Sequence, residues 1–282
     1  MRIFKLAGIL IILCILGIVY LSPKRSHLSV CAIFKNEAPW LTEWLNYHHK
    51  VLGVSHFYLY NNDSSDQYEE VLKPYIDRGV VELIEWGSED PSHATVGAYM
   101  DAPWSSFQLG AYNDCLKNRA LGKTHWVAMI DIDEFIVPLK GVRAFYDLLR
   151  TAERKGKGSI QLFWRVFGTS DIANLQKGER LTEKLIWRSQ DDHPWNRHVK
   201  SIHRPEAVAF CLVHEAEKFK PPYKKKIIPR EEACIHHYWS RTEQFCLDKR
   251  GISKDSNPEF FEALHQIQDK TMLKLKPATP KY

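Results

Sequence analysis

The stretch from His125 to Pro138, HWVAMIDIDEFIVP, constrains this chain more than any other. Its first half is apolar, aromatic and β-branched, the texture of a buried strand. Its second half delivers three carboxylates, Asp131, Asp133 and Glu134, where that strand should end. In open α/β sheets, ligands bind outside the carboxyl ends of the strands. Asp131 and Asp133 are two apart, so an extended backbone puts both side chains on one face. Two hard oxygen donors on one face suit Mg²⁺ or Mn²⁺ with a bound diphosphate. An acidic turn closing a strand would carry the same residues, so the rest of the chain decides between the two.

Upstream, the pattern alternates strand and helix. His27 to Phe34 reads as a strand ending in Lys35-Asn36-Glu37. Pro39 then opens a helix whose Trp40, Leu41, Trp44, Leu45, His48 and Leu52 recur at helical spacing, read as core packing, before Gly53 closes it. Ser55 to Tyr60 is a second strand, and the polar turn Asn61 to Asp66 precedes a helix from Gln67 to Tyr75. Val80 to Trp86 is a third strand, and Ser105 to Arg119 a helix. This β-α-β-α-β order predicts an α/β fold with a mostly parallel central sheet and helices on both faces. The loops at Lys35 to Glu37, Asn61 to Asp66 and Asp131 to Glu134 then emerge at one edge. A nucleotide-type ligand is the natural occupant. No GxGxxG follows the first strand and no GxxxxGK[ST] occurs, which argues against dinucleotide and P-loop sites. No GxSxG nucleophile elbow is present either.

Ahead of the body, Leu6 to Leu21 is an unbroken apolar run flanked by Arg2, Lys5, Lys24 and Arg25. It reads as one N-terminal transmembrane helix, an uncleaved single-pass anchor. The balanced flanking charges leave its orientation open. The division is therefore 1–25 anchor and linker, 26–276 catalytic body in two halves (26–140 and 141–276), and 277–282 tail. A net charge of +5 fits phosphate-bearing ligands or an anionic membrane and falls short of a nucleic-acid footprint. Cys14 lies in the leader. Cys31, Cys115, Cys211, Cys234 and Cys246 are scattered, without a CxxC pair, and read as reduced core thiols.

In the second half, Ile160 to Phe167, Val208 to His214 and Ala233 to Trp239 read as strands. Phe145 to Arg154, Thr242 to Lys249 and Pro258 to Met272 read as helices, and Lys220 to Lys226 as an exposed basic loop. His236 and His237 point to opposite faces, so one at most can meet the carboxylates. Lys200 is a candidate diphosphate partner because its ammonium is a compact charge. Asp171, Asp191, Asp192 and Glu215 are candidate general bases; Asp171, Asp192 and Glu215 are carried forward as the catalytic set.

The ordered elements CAIFKNE (Cys31 to Glu37), LTEWLNYH (Leu41 to His48), LGVSHF (Leu52 to Phe57), YNNDSSD (Tyr60 to Asp66) and IDIDEFI (Ile130 to Ile136) together resemble glycosyltransferase family 92 and its family-2-like relatives. WRVFGTS (Trp164 to Ser170), VKSI (Val199 to Ile202) and HYWSR (His237 to Arg241) extend the resemblance. It implies the glycosyltransferase type A fold and a UDP-linked hexose donor, galactose-like. It also implies Mn²⁺ (or Mg²⁺), and inversion on transfer to a glycan, glycolipid or lipopolysaccharide-like acceptor. By position, Asn36, Glu37, Asp63 and Asp66 would line the nucleoside pocket. Asp131 and Asp133 would hold metal and diphosphate, with His237, or else His214, completing the metal shell and Lys200 on the diphosphate. Two rival readings use the same residues: a membrane-tethered carbohydrate-binding module, for which nine tryptophans would suit sugar stacking, and a metal-dependent phosphoesterase. The sequon Asn62-Asp63-Ser64 falls in the proposed nucleoside loop, where a glycan would block the site. A bacterial inner membrane and a Golgi membrane both remain as locations.

Overall fold

A computed structural model describes residues 26–95 and 103–275. The expected anchor at Leu6–Leu21 and the tail 277–282 lie outside the described residues. Among the described residues no helix is long and apolar enough to cross a membrane. The first half runs β1 (Ser26–Phe34), α1 (Ala38–Asn46), β2 (His56–Asn61), α2 (Tyr68–Ile76), β3 (Val81–Glu85), α3 (Pro103–Asp114), β4 (Thr124–Met129), β5 (Glu134–Pro138) and α4 (Val142–Arg154). Next come β6 (Lys157–Val166), α5 (Leu181–Lys184), β7 (Trp187–Arg188), β8 (Val199–His203), β9 (Val208–Cys211), β10 (Ala216–Phe219) and β11 (Lys224–Ile227). The chain ends with β12 (Ala233–His237), α6 (Glu243–Arg250), α7 (Pro258–Ala263), β13 (Ile267–Gln268) and α8 (Thr271–Lys274).

Nine strands form one sheet in the order β3-β2-β1-β4-β8-β6-β12-β5, with β11 also on β6. The α/β class and the parallel pairing of β3, β2, β1 and β4 match the sequence pattern. Beyond β4 the expectation of a mostly parallel sheet needs correction, because the sheet is mixed: β8 runs against β4 and β6, and β5 against β12. After β4 the chain turns at Asp131–Asp133 into β5, which leaves the free edge of β4 to β8, arriving from the opposite direction.

Alternation along β1 feeds two cores. Leu28, Val30 and Ala32 join Leu41, Leu45, Leu72 and Phe145 from α1, α2 and α4. Cys31 faces the other way, toward Tyr112 of α3 and Cys115. Helices therefore cover both faces, as the period-2 pattern requires. The five cysteines of the body are free and buried, as their spacing implied. Two further readings change. Lys224–Ile227 is a strand rather than loop, and lysines are tolerated there because β11 sits at an edge. The expected helix Pro258 to Met272 stops at Ala263, because Ile267 and Gln268 pair with β7 instead.

The helix rich in aromatics has a second use. Trp44 Nε1 donates to the Glu134 carbonyl at 2.8 Å, and Tyr47 Oη donates to the Ile136 carbonyl at 2.8 Å. His48 Nδ1 lies 2.9 Å from the Trp44 carbonyl, while its Nε2 accepts from the Ile136 N–H at 3.3 Å. These partners require a neutral imidazole protonated at Nδ1. Gly53, in the left-handed region at φ 85°, ends the turn that follows. Trp44 of α1, with Tyr47 and His48 of the turn that follows, therefore clamps the first residues of β5 from Glu134 onward.

Burial holds His48 and His203 neutral, with pKa values lowered to about 3. An unfolded histidine takes up its proton near pH 6.5. Between those values only the unfolded chain binds the proton, so stability is full above about pH 6.5 and falls with falling pH. At pH 5 each residue is expected to remove about 2 kcal/mol. Urea midpoints at pH 7.5 and pH 5 measure this, and His203→Phe should flatten part of the difference. Equal midpoints for the unmodified chain would refute it.

Candidate active site

The parallel register sets the site. Phe34 of β1 lies beside Asn61 of β2, and Cys31 lies beside Met129 of β4, so their following loops leave at one edge. Side chains stitch these loops together. Asn36, at φ 58°, donates its N–H to Ser64 Oγ at 2.9 Å, and its Oδ1 accepts from the Ser65 N–H at 2.7 Å. Asp66 Oδ2 accepts from the Ala38 N–H at 2.8 Å. Asp63, at φ 56°, accepts from the Ser88 hydroxyl and from its N–H, the latter at 2.9 Å, beyond β3, which together hold its carboxyl below the usual range. Asn and Asp tolerate the left-handed region better than other side chains. Asn36, Asp63 and Asp66 thus build the rim of the edge, each with a side chain engaged on a neighbouring loop.

At the centre stands a buried lysine. Lys200, 1 % exposed, arrives on β8 and places Nζ 2.9 Å from Asp131 Oδ2 and 3.5 Å from Glu134 Oε2. Burial opposes its charge, but the two carboxylates outweigh burial and raise its pKa. Asp131 also accepts from Gln108 Nε2 at 2.8 Å and from Tyr112 Oη at 3.0 Å, both on α3. Glu134 is fully buried and accepts from the Asp131 N–H at 2.9 Å, closing the turn on itself. Burial pushes its carboxyl up to about 7, with Lys200 pulling the other way.

A second charged group faces the first. Asp133 Oδ1 lies 3.6 Å from His237 Nε2, and its Oδ2 lies 4.0 Å from Arg241 Nη2. Burial alone would raise the Asp133 carboxyl, yet His237 and Arg241 hold it well below the carboxylate range. Burial works against a charged His237, and the adjacent Asp133 more than compensates, so its pKa is raised. Arg241 Nη2 also pairs with Glu37 Oε2 at 2.6 Å. The Arg241 guanidinium packs against Trp40 and Phe245, at 4.9 and 4.4 Å from their ring centroids, and the two rings meet edge to face. Its backbone sits at φ 48°, and its Nε and Nη1 are buried without a hydrogen-bond partner among the described residues. Strained backbone and unused buried donors together mark a residue kept for a ligand.

Of the two adjacent histidines, His237 faces Asp133 and His236 packs on Phe167, its ring centroid 4.6 Å away. His214 is turned to the Val199 carbonyl, 3.0 Å from its Nδ1, and does not touch Asp133. The candidate bases lie elsewhere. Asp171 pairs with Lys254 at 2.7 Å, Asp191 with Arg188 at 2.8 Å and Glu215 with Lys225 at 2.8 Å, while Asp192 is exposed. Among the described residues none of them forms a hydrogen bond or ion pair with the Asp131–Glu134 turn. Glu215 alone connects to it through neighbours, because it follows His214, whose ring feels Lys200 and Asp131. The roles of Gln108, Tyr112 and Arg241 were missed by motif reasoning. They sit at positions the resemblance covers, but only packing shows what each one touches.

A divalent cation can be tested against this donor set. Two ligands about 2.1 Å from one ion stand roughly 3 to 3.5 Å apart, and Asp133 Oδ1 and His237 Nε2 nearly meet that separation. Among the described residues no three acidic, imidazole or thiol groups converge on one point. Asp131 is turned instead to Lys200, Gln108 and Tyr112. The chemistry of the pair fits such an ion, and the third ligand would have to come from Asp131 on release from Lys200 or from a bound phosphate.

Comparison with known proteins follows the same lines. The model of glycosyltransferase family 92 matches residues 25–279. A family 92 protein of Arabidopsis thaliana is 32% identical over 235 residues, covering 77% of this chain and 36% of the relative. One from Oryza sativa subsp. japonica is 29% identical over 229 residues, covering 80% and 35%. The chain thus spans about a third of the length of the curated relatives it matches. Among solved structures, S. aureus TarS 1-349 in complex with UDP-GlcNAc aligns at 15% identity and TM-score 0.35, over 64% of this chain and 45% of that one. The mannosyltransferase PcManGT from Pyrobaculum calidifontis, in complex with GDP-Man and Mn²⁺, aligns at 14% and 0.36, over 65% and 46%. The motifs that build the carboxylate edge and the family match across nearly the whole body lead to one conclusion: this chain belongs to glycosyltransferase family 92.

Proposed function

We propose that the chain transfers a hexose from a UDP-sugar to a hydroxyl of a glycan or glycolipid, with inversion at the anomeric carbon. The observation that carries this reading is the paired arrangement at the carboxyl edge. Asp131–Lys200–Glu134 sets one ammonium between two carboxylates, with Lys200 and Glu134 buried, and next to it Asp133–His237 adjoins an arginine with two unused donor nitrogens. A diphosphate presented there would be drawn to the Arg241 guanidinium, whose Nε and Nη1 have no partner among the described residues, since arginine is a favoured phosphate-binding group. Asp133 and His237, with Asp131, would hold Mn²⁺ or Mg²⁺, and Asn36, Asp63 and Asp66 would shape the nucleoside end. Such an ion, when bound, supplies positive charge to a departing diphosphate. Glu37 fixes the Arg241 guanidinium, and Lys200 keeps the carboxylates from repelling one another. A carboxylate must also accept the proton of the acceptor hydroxyl. Among Asp171, Asp192 and Glu215, adjacency in the chain to His214 favours Glu215. The apolar run at Leu6–Leu21 would keep the enzyme on a membrane near a lipid-linked acceptor.

Calorimetric titration of the full chain with UDP, with and without Mn²⁺, tests the reading. The expected result is binding that strengthens at least tenfold with the metal, about 1.4 kcal/mol. Absence of UDP binding in both conditions would overturn it and leave the carbohydrate-binding module in its place.

A further inference from the structure

The two edges of the sheet differ in how their charges are paired. The carboxyl edge carries Glu37, Asp63, Asp131, Asp133 and Glu134, with Lys200 and Arg241 paired among them. The described chain begins at the opposite, amino edge, at Ser26. Register brings the starts of β4, β6 and β11 and the end of β8 to that edge. Ser26 lies beside Thr124, which follows Lys123; His203 lies opposite Val127 and Ser159; Lys157 lies beside Lys224. Arg78 occupies the turn into β3, and the Lys220 N–H donates to the Ala207 carbonyl at 2.9 Å next to the Arg204 turn.

Arg78, Lys123, Lys155, Lys220 and Lys224 are exposed and Lys157 is half-buried. None of the six forms an ion pair among the described residues. Asp77 pairs with Lys73, and Glu153 and Glu206 with Arg204. Leu121, 47 % exposed, projects from the same turn as Lys123. The edge from β3 to β11 crosses six strand spacings, about 29 Å at ~4.8 Å each. The apolar run Leu6–Leu21 joins Ser26 through only Ser22, Pro23, Lys24 and Arg25. Five Cα steps reach about 18 Å at most.

We propose that this amino edge is a docking face for an anionic lipid bilayer. Unpaired cations spread over about 29 Å match the scale of a charged surface, and lysines near an anionic leaflet each add attraction. The short link to an apolar run favours lipid over nucleic acid as the anionic partner, since it confines the edge to the neighbourhood of hydrocarbon. Docked in this way, the sheet carries its carboxylate edge about 25 Å away from the bilayer, the length of β1 at ~3.3 Å per residue. The proposal stands apart from the transferase reading and concerns only orientation.

Flotation of the full chain with vesicles tests it, comparing pure phosphatidylcholine with about 30 mol % phosphatidylglycerol. The unmodified chain is expected to favour the anionic vesicles about tenfold or more, and to lose that preference in high salt. The variant K123E/K155E/K220E/K224E should bind both vesicles alike while melting at the unmodified temperature. These side chains are exposed and unpaired, so the fold has no need of them. Equal binding of the unmodified chain to both vesicles would overturn the proposal. So would a variant that keeps the anionic preference, which would then come from the basic residues flanking the apolar run. Salt-sensitive binding to an RNA duplex, with indifference to lipid charge, would overturn it in favour of a nucleic-acid face.

Discussion

Lys200→Met is expected to destabilise the fold by about 3–5 kcal/mol, the usual consequence of removing one partner of a buried ion pair. The ammonium is the counter-charge for Glu134, which is fully buried, and for Asp131. Without it Glu134 must either stay charged in the interior or take up a proton. The Glu134 carboxyl already sits near 7 with Lys200 present. A folded-state pKa above the unfolded value near 4.5 favours folding at low pH and weakens it as pH rises through the folded pKa. In K200M that pKa climbs further, so the deficit at pH 7.5 should exceed the deficit at pH 5.5. The double variant K200M/E134Q removes the buried charge while the amide oxygen can still accept from the Asp131 N–H. It should recover more than half of the loss. Denaturant midpoints for the three proteins decide the matter. A single variant as stable as the unmodified chain would show that the buried charge triad is not formed.

Asp133→Ala should reduce transfer at least about hundredfold and abolish the metal dependence of UDP binding, since removing even outer partners of a metal ligand commonly loses ten- to a hundredfold. The fold should survive, because Arg241 keeps Glu37 as its partner and His237 can become neutral. Asp133→Asn separates charge from shape. It preserves volume and one acceptor oxygen but not the negative charge, so it should lose activity almost as fully. Initial rates with a UDP-sugar, paired with a melting curve, provide the check. Full activity in either variant would remove Asp133 from the site.

Each prediction rests on a different level of the chain. That Asp131 and Asp133 follow a buried strand was readable from period and composition. So were the three loops at one edge, because parallel β-α-β units bring the carboxyl ends of their strands together. Glu134, by contrast, opens β5, and the turn aims the two aspartates at different partners. The pairing of His237 rather than His236 with Asp133 follows partly from strand alternation. What alternation does not reveal is which strand lies next door. The order of β8, β6, β12 and β5 depends on contacts between residues far apart in the chain, and local pattern carries no record of them.

The sequence by itself therefore determined the family, the α/β class, the first four parallel strands and the identity of the carboxylates. Those features depend on local periodicity and on motif residues close together along the chain. Tertiary structure alone decided the mixed half of the sheet and the burial of Lys200 between Asp131 and Glu134. It also decided the packing of Arg241 against Trp40 and Phe245 beside Asp133 and the gathering of unpaired cations on the amino edge. A lysine on a strand reads as a solvated charge until packing surrounds it. Burial, counter-charge and edge polarity arise only when segments separated by 69 residues, as Asp131 and Lys200 are, come within 3 Å.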